Sequence, residues 1–126
     1  MRTIFVYGTL RKGFYNYDRF GGDEAFKPHS VDGNVYIISE YKMYTNGMYP
    51  CIVKSFNKND KVEGELYHID DGLFVILRNM EIGAGYRMEE IQVNDGDGIV
   101  NAYVFTMTQK QVDNGMWKEI EDGIFK

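Results

Sequence analysis

Little in this chain of 126 residues points to a scaffold held by covalent links or metal. Cysteine occurs once, at Cys51, so no intramolecular disulfide can form, and a reducing, cytoplasmic setting is expected. Histidine occurs twice, at His29 and His68, and neither sits in a recognised zinc-ligand pattern. Long apolar runs are missing too. The longest near the N-terminus, Ile4-Phe5-Val6-Tyr7, is too short for a signal peptide's apolar region or a membrane span. Basic clusters are no larger than pairs such as Arg11-Lys12, and 14 Lys+Arg against 19 Asp+Glu leave a net charge of −5. Binding through phosphates or anionic headgroups needs a basic patch, so neither nucleic acid nor membrane is an expected partner. No repeat, linker or low-complexity tract divides the sequence, and residues 1–126 are expected to form a single domain.

Aromatic residues are plentiful: 10 Tyr and 8 Phe, against only 2 Pro. That balance favours sheet. Thr3–Tyr7 is a run of strand formers stopped by Gly8-Thr9, and Arg11–Asp32 reads as loop with at most a short helix. Further strand-like runs cover Asn34–Tyr41, Tyr49–Lys54 and Val62–Ile69, separated by turn-rich stretches. One helix follows, with Asp71 as its cap, Leu73, Ile76, Leu77 and Met80 on one face, and Gly83 and Gly85 at its end. Asn94-Asp95-Gly96-Asp97-Gly98 then joins strands Tyr86–Val93 and Ile99–Met107. A short helix in the tail is expected to bury Val112, Met116 and Trp117. The pattern predicts an α+β fold, mostly antiparallel and curled towards a small barrel, with flanking helices.

Few positions offer chemistry. Cys51 lies in the apolar run Tyr49-Pro50-Cys51-Ile52, where a free cysteine behaves as a small hydrophobe. Gly83-Ala84-Gly85 follows a helix rather than opening one, which excludes a dinucleotide loop. Tyr7-Gly8-Thr9-Leu10 is either an ordinary tight turn or a place where backbone N–H groups cradle an anion. Glu81 continues the i, i+4, i+8 line of Leu73 and Leu77, which puts a carboxylate at the end of an apolar face and in the last helical turn. Both placements raise a carboxyl pKa towards that of a general base; the plainer alternative is a rim glutamate turned to solvent.

The opening Phe5-Val6-Tyr7-Gly8-Thr9-Leu10-Arg11-Lys12-Gly13 closely resembles the signature of the gamma-glutamylcyclotransferase-like, or AIG2-like, family. Asn16, Gly33, Tyr49-Pro50-Cys51-Ile52-Val53, Val62-Glu63-Gly64-Glu65-Leu66-Tyr67, Leu77…Glu81, Tyr86-Arg87 and Ala102-Tyr103-Val104-Phe105 follow in the family's order, so that the resemblance spans residues 3 to 107. It implies a small mixed barrel around one cavity. It also implies that Tyr7, Gly8, Thr9 and Leu10 hold a glutamyl group, that Glu81 is the acid/base, and that Tyr86 and Tyr103 lie near the cavity. The implied reaction releases 5-oxoproline and a free amine from a small gamma-glutamyl amine or amide, without metal or cofactor. A non-catalytic small-molecule-binding module on the same barrel is the alternative. Two positions depart from the family pattern. Leu77-Arg78 stands where members often carry Leu-Asp, and the arginine of Tyr86-Arg87 comes one place early.

Overall fold

The computed structural model describes residues 1–126. The first apolar run forms β1 (Arg2–Val6). The glycine-bearing stretch after it holds two one-turn helices, α1 (Tyr15–Arg19) and α2 (Gly22–Ala25), and a two-residue strand, β2 (Lys27–Pro28). The run expected over Asn34–Tyr41 is broken into β3 (Val35–Ser39) and β4 (Tyr41–Thr45). Glu40 between them adopts a φ of 69°, which no extended strand can continue through. The chain changes sheet at that point. β5 (Pro50–Lys54) and β6 (Lys61–Ile69) lie where their patterns place them.

The helix α3 covers Asp71–Gly83, and its cap is Asp70 rather than Asp71: the Asp70 carboxylate accepts from the Leu73 N–H at 2.7 Å. Asp71 instead faces the Arg2 guanidinium. Phe74 and Leu77 are the buried positions of α3, whereas Ile76, expected on the inner face, is 56% exposed. The long hairpin comprises β7 (Arg87–Asn94) and β8 (Ile99–Thr106). The tail forms α4 (Gln109–Asp113) and then β9 (Lys118–Ile120), a strand too short to show a period. Val112 is buried, but Met116 is 92% exposed because it lies beyond the helix in the turn to β9.

Two sheets result. The larger runs β2-β6-β1-β8-β7, with β3 also paired to β6; the smaller runs β5-β4-β9. β1 is antiparallel to β6 and parallel to β8, with Ile4 opposite both Tyr67 and Tyr103. Strands of both sheets wrap one core, in which Phe5, Tyr36, Met43, Ile52, Leu66 and Val104 meet. This is the barrel-like interior the pattern predicts, although no ladder joins the edge strands into a closed ring. A second core seats α1, α2 and α3 on the outer face of β1 and β6 through Tyr17, Phe26, Phe74 and Leu77. Because β1 and β8 are parallel, their C-terminal ends emerge on the same side. The cavity opens there. No helix is long and apolar enough to cross a membrane.

Candidate active site

The loop after β1 is fixed from below by ions. Arg11 is buried and donates from Nε to Glu65 at 2.8 Å and from Nη1 to Glu63 at 3.0 Å. Glu65 also accepts from the Lys12 N–H and the Tyr67 hydroxyl, so its lone pairs are well used in a setting that would otherwise penalise charge. The loop is fixed from above by α1. The Thr9 carbonyl accepts from the N–H groups of Asn16 and Tyr17, and Asn16 Nδ2 donates to Thr9 Oγ1 at 2.8 Å. Between these anchors the N–H groups of Gly8, Thr9 and Leu10 have no acceptor in the protein. Three consecutive free donors are an unusual expense for a loop in which Gly8 and Leu10 are buried, and they suit an anionic or carbonyl ligand.

Gly8 is required for space rather than for backbone conformation. It is not among the positive-φ residues, but a Cβ there would lie 2.5 Å from Pro50 Cγ. Contact of that kind displaces either the loop or the start of β5.

These donors line a cavity of about 330 Å³, within the size range of small-molecule sites. Its floor is apolar, with Phe5, Leu10, Pro50, Phe105 and Met107 among the lining residues. Glu81, from the last turn of α3, lines the same cavity. Burial raises its carboxyl pKa from 4.5 to about 7, and no neighbouring charge opposes the effect. The sequence offers two causes for such a rise, burial and the helix end; in the folded chain burial suffices. Tyr7 and Tyr86 complete this region. Their hydroxyls donate to the carbonyls of Phe105 at 2.7 Å and Pro50 at 2.6 Å, which fixes both rings. Burial pushes both phenols well up, and the charge of Glu81 adds to the effect on each, so all three lie within electrostatic reach. Cys51 is buried nearby with its thiol pushed up to about 12, which removes it as a nucleophile.

The structure therefore brings together Tyr7, Gly8, Thr9, Leu10, Glu81 and Tyr86. Tyr103 is not brought to them. It shares a face of β8 with Phe105 but lies two residues earlier, where Phe74 covers the strand with ring centroids 5.0 Å apart. Its hydroxyl accepts from Arg2 Nη1 at 3.1 Å, outside the cavity. The two arginines that depart from the family pattern also lie outside the cavity. Arg87 pairs with Glu89, and Arg78 makes no ion pair with Glu81.

A family model described as gamma-glutamyl cyclotransferase, AIG2-like, matches residues 4–124. The chain belongs to that family. Among its relatives is a Vibrio cholerae protein named "Putative gamma-glutamylcyclotransferase", 29% identical over 119 residues and matched over 90% of this chain and 93% of its own. The crystal structure of an uncharacterized protein from Pyrococcus horikoshii is similar at a TM-score of 0.68 and 29% identity, covering 98% of this chain and 89% of that one. An AIG2-like protein from Mus musculus shares the fold at a TM-score of 0.65 and 23% identity, covering 85% of this chain and 77% of that one.

Several lining residues of this family member carry no local signal in its sequence. Asn46 and Tyr49 come from the β4–β5 turn, and Trp117 is brought in by the pairing of β9 with β4. Arg19 follows Asn16 by three positions on α1, a spacing visible only once Arg11–Asp32 is known to contain a helix.

Proposed function

We propose that this protein is a gamma-glutamyl cyclotransferase in which Glu81 is the general acid/base and the Gly8–Leu10 backbone holds the glutamyl head. One observation carries the reading: a carboxyl group with a pKa near 7 and three unpartnered N–H donors line a single small cavity. A gamma-glutamyl amide contains its own nucleophile. Its α-amine attacks the side-chain carbonyl, the new N–C bond closes a five-membered lactam, and the bond to the leaving nitrogen breaks. The products are 5-oxoproline and a free amine.

The α-amine is protonated near neutrality and cannot attack until it loses a proton. Glu81 takes that proton when ionised and returns one to the leaving nitrogen; a pKa near the working pH serves both steps. The N–H groups of Gly8, Thr9 and Leu10 stabilise the substrate carboxylate or the oxyanion that grows on the attacked carbonyl. Tyr7 and Tyr86, pinned through their hydroxyls, hold the walls in place. Positioning is a large part of the catalysis, because ring closure needs the amine held against the carbonyl and away from water.

The test is stoichiometric release of 5-oxoproline and free amine from a panel of gamma-glutamyl amides by the purified protein. Glu81→Gln is expected to bind these compounds but to lower turnover about 100-fold or more. Unimpaired release by the variant would remove Glu81 from the mechanism.

A further inference from the structure

In this acidic chain, arginines mostly find carboxylates. Arg2 faces Asp71, Arg87 faces Glu89, and Arg11 is clamped between Glu63 and Glu65. Of the two arginines outside these ion pairs, Arg78 lies away from the cavity and Arg19 lines it. Arg19 is the only cationic side chain in the cavity wall, and Glu81 is the only carboxylate.

Arg19 is also well placed to face a ligand. Asn16, one helical turn earlier on α1, is fixed to Thr9, so the same helix face is held against the anion-seeking loop. The Arg19 guanidinium leans on the ring of Phe20, 4.9 Å from its centroid, which steadies the stem and leaves the edge N–H donors free. Arg19 is exposed, as are Asn46 and Tyr49, whereas Gly8, Leu10, Phe105 and Met107 are buried. The free N–H donors thus lie among the largely buried residues of the cavity, and the unpaired cation among its exposed ones. A glutamyl head seated on those donors directs its leaving group towards the exposed residues.

From this arrangement we infer that Arg19 is a specificity-determining residue that recognises a carboxylate on the leaving amine. It selects gamma-glutamyl compounds whose leaving group is anionic over those whose leaving group is neutral or cationic. A guanidinium suits this task because its planar fork matches a carboxylate bidentately. The inference rests on the proposed cyclotransferase reading of the cavity and adds the chemistry of the second half of the substrate.

The discriminating pair is gamma-glutamyl-alanine and its C-terminal amide, which differ in charge but hardly in shape. kcat/KM for 5-oxoproline release is expected to favour the acid about tenfold, the scale of one partly exposed charge-assisted hydrogen bond. The preference should shrink as ionic strength rises. Arg19→Gln is expected to bring the ratio of the two kcat/KM values close to one, and Arg19→Lys, which keeps the charge but not the planar fork, to leave an intermediate ratio. A ratio near one in the native protein, or a preference that survives Arg19→Gln, overturns the inference. If neither compound is turned over, the cyclotransferase reading falls on its own. The role of Arg19 is then decided by the two dissociation constants measured by calorimetry: a preference for the acid that Arg19→Gln abolishes upholds it, and equal values refute it.

Discussion

Replacing Glu81 by glutamine should stabilise this protein, by an amount that grows from zero near pH 4 to its full value above pH 7. In the unfolded chain the carboxyl ionises near 4.5, whereas in the fold burial holds the proton until about pH 7. Below pH 4.5 both states carry the proton, and Glu81 imposes no penalty. Between the two values the folded state binds more protons than the unfolded one, so stability falls as pH rises, and the loss is complete above pH 7. Each pKa unit corresponds to about 1.4 kcal/mol, and partial exposure of the residue reduces the total to roughly 2–3 kcal/mol. Glutamine has nearly the same shape and never ionises. Urea unfolding of the native protein and of Glu81→Gln should give equal stabilities near pH 4, and the variant should be more stable by about 2 kcal/mol at pH 8. A constant difference across that range would show that Glu81 ionises in the fold as it does in water, and the argument for a poised base would fail.

Other parts of the structure make separate predictions. Arg11→Met leaves Glu65 buried against Tyr67 without its cation and should cost about 3 kcal/mol in chemical denaturation; a loss below 1 kcal/mol would mean the pair is effectively solvated. Gly8→Val drives a branched side chain into Pro50, so it should cost about 1–3 kcal/mol and abolish 5-oxoproline binding in calorimetry; retained affinity would make the loop a turn and nothing more. His68 accepts or donates on both ring nitrogens, to Thr3 and to His29, which reaches on to Asp95. Burial and His29 depress the His68 pKa below 6.5, so stability is full above that value and declines as pH falls through it. The fall in melting temperature between pH 7 and pH 5 should therefore be smaller in His68→Gln, and an unchanged fall would place the titration elsewhere.

How much of this could be read in the sequence follows from the range of the interactions. Glu81 is visible because a helix repeats every few residues, so Leu73, Leu77 and Glu81 declare a common face without help from the rest of the chain. The same repeat misplaced Ile76, since the width of a buried stripe depends on what packs against it. The Gly8 loop is visible as a strand that stops at a glycine, but the reason for that glycine, the side chain of Pro50, lies on a distant part of the chain. Tyr103 shows the complementary failure. Alternation along β8 identifies the face of a residue and not which neighbour covers it, and Phe74 takes the place that the cavity takes two residues later. Arg19 and Trp117 depend on a one-turn helix and a three-residue strand, both too short to impose a pattern. The histidines, unremarkable in sequence, meet because β2 pairs with β6 in the register that sets Lys27 opposite His68.

The central claim is that a partly buried, half-titrated Glu81 does the proton transfer in the cavity it shares with the Gly8–Leu10 loop. The pH dependence of kcat/KM for 5-oxoproline release, measured from pH 5 to pH 9 on one gamma-glutamyl substrate, tests it most directly. The account predicts a rise of about tenfold per pH unit that levels off near pH 7, the value at which burial releases the Glu81 proton. A profile already flat at pH 5, as expected of a carboxylate that ionises near 4.5, would contradict it.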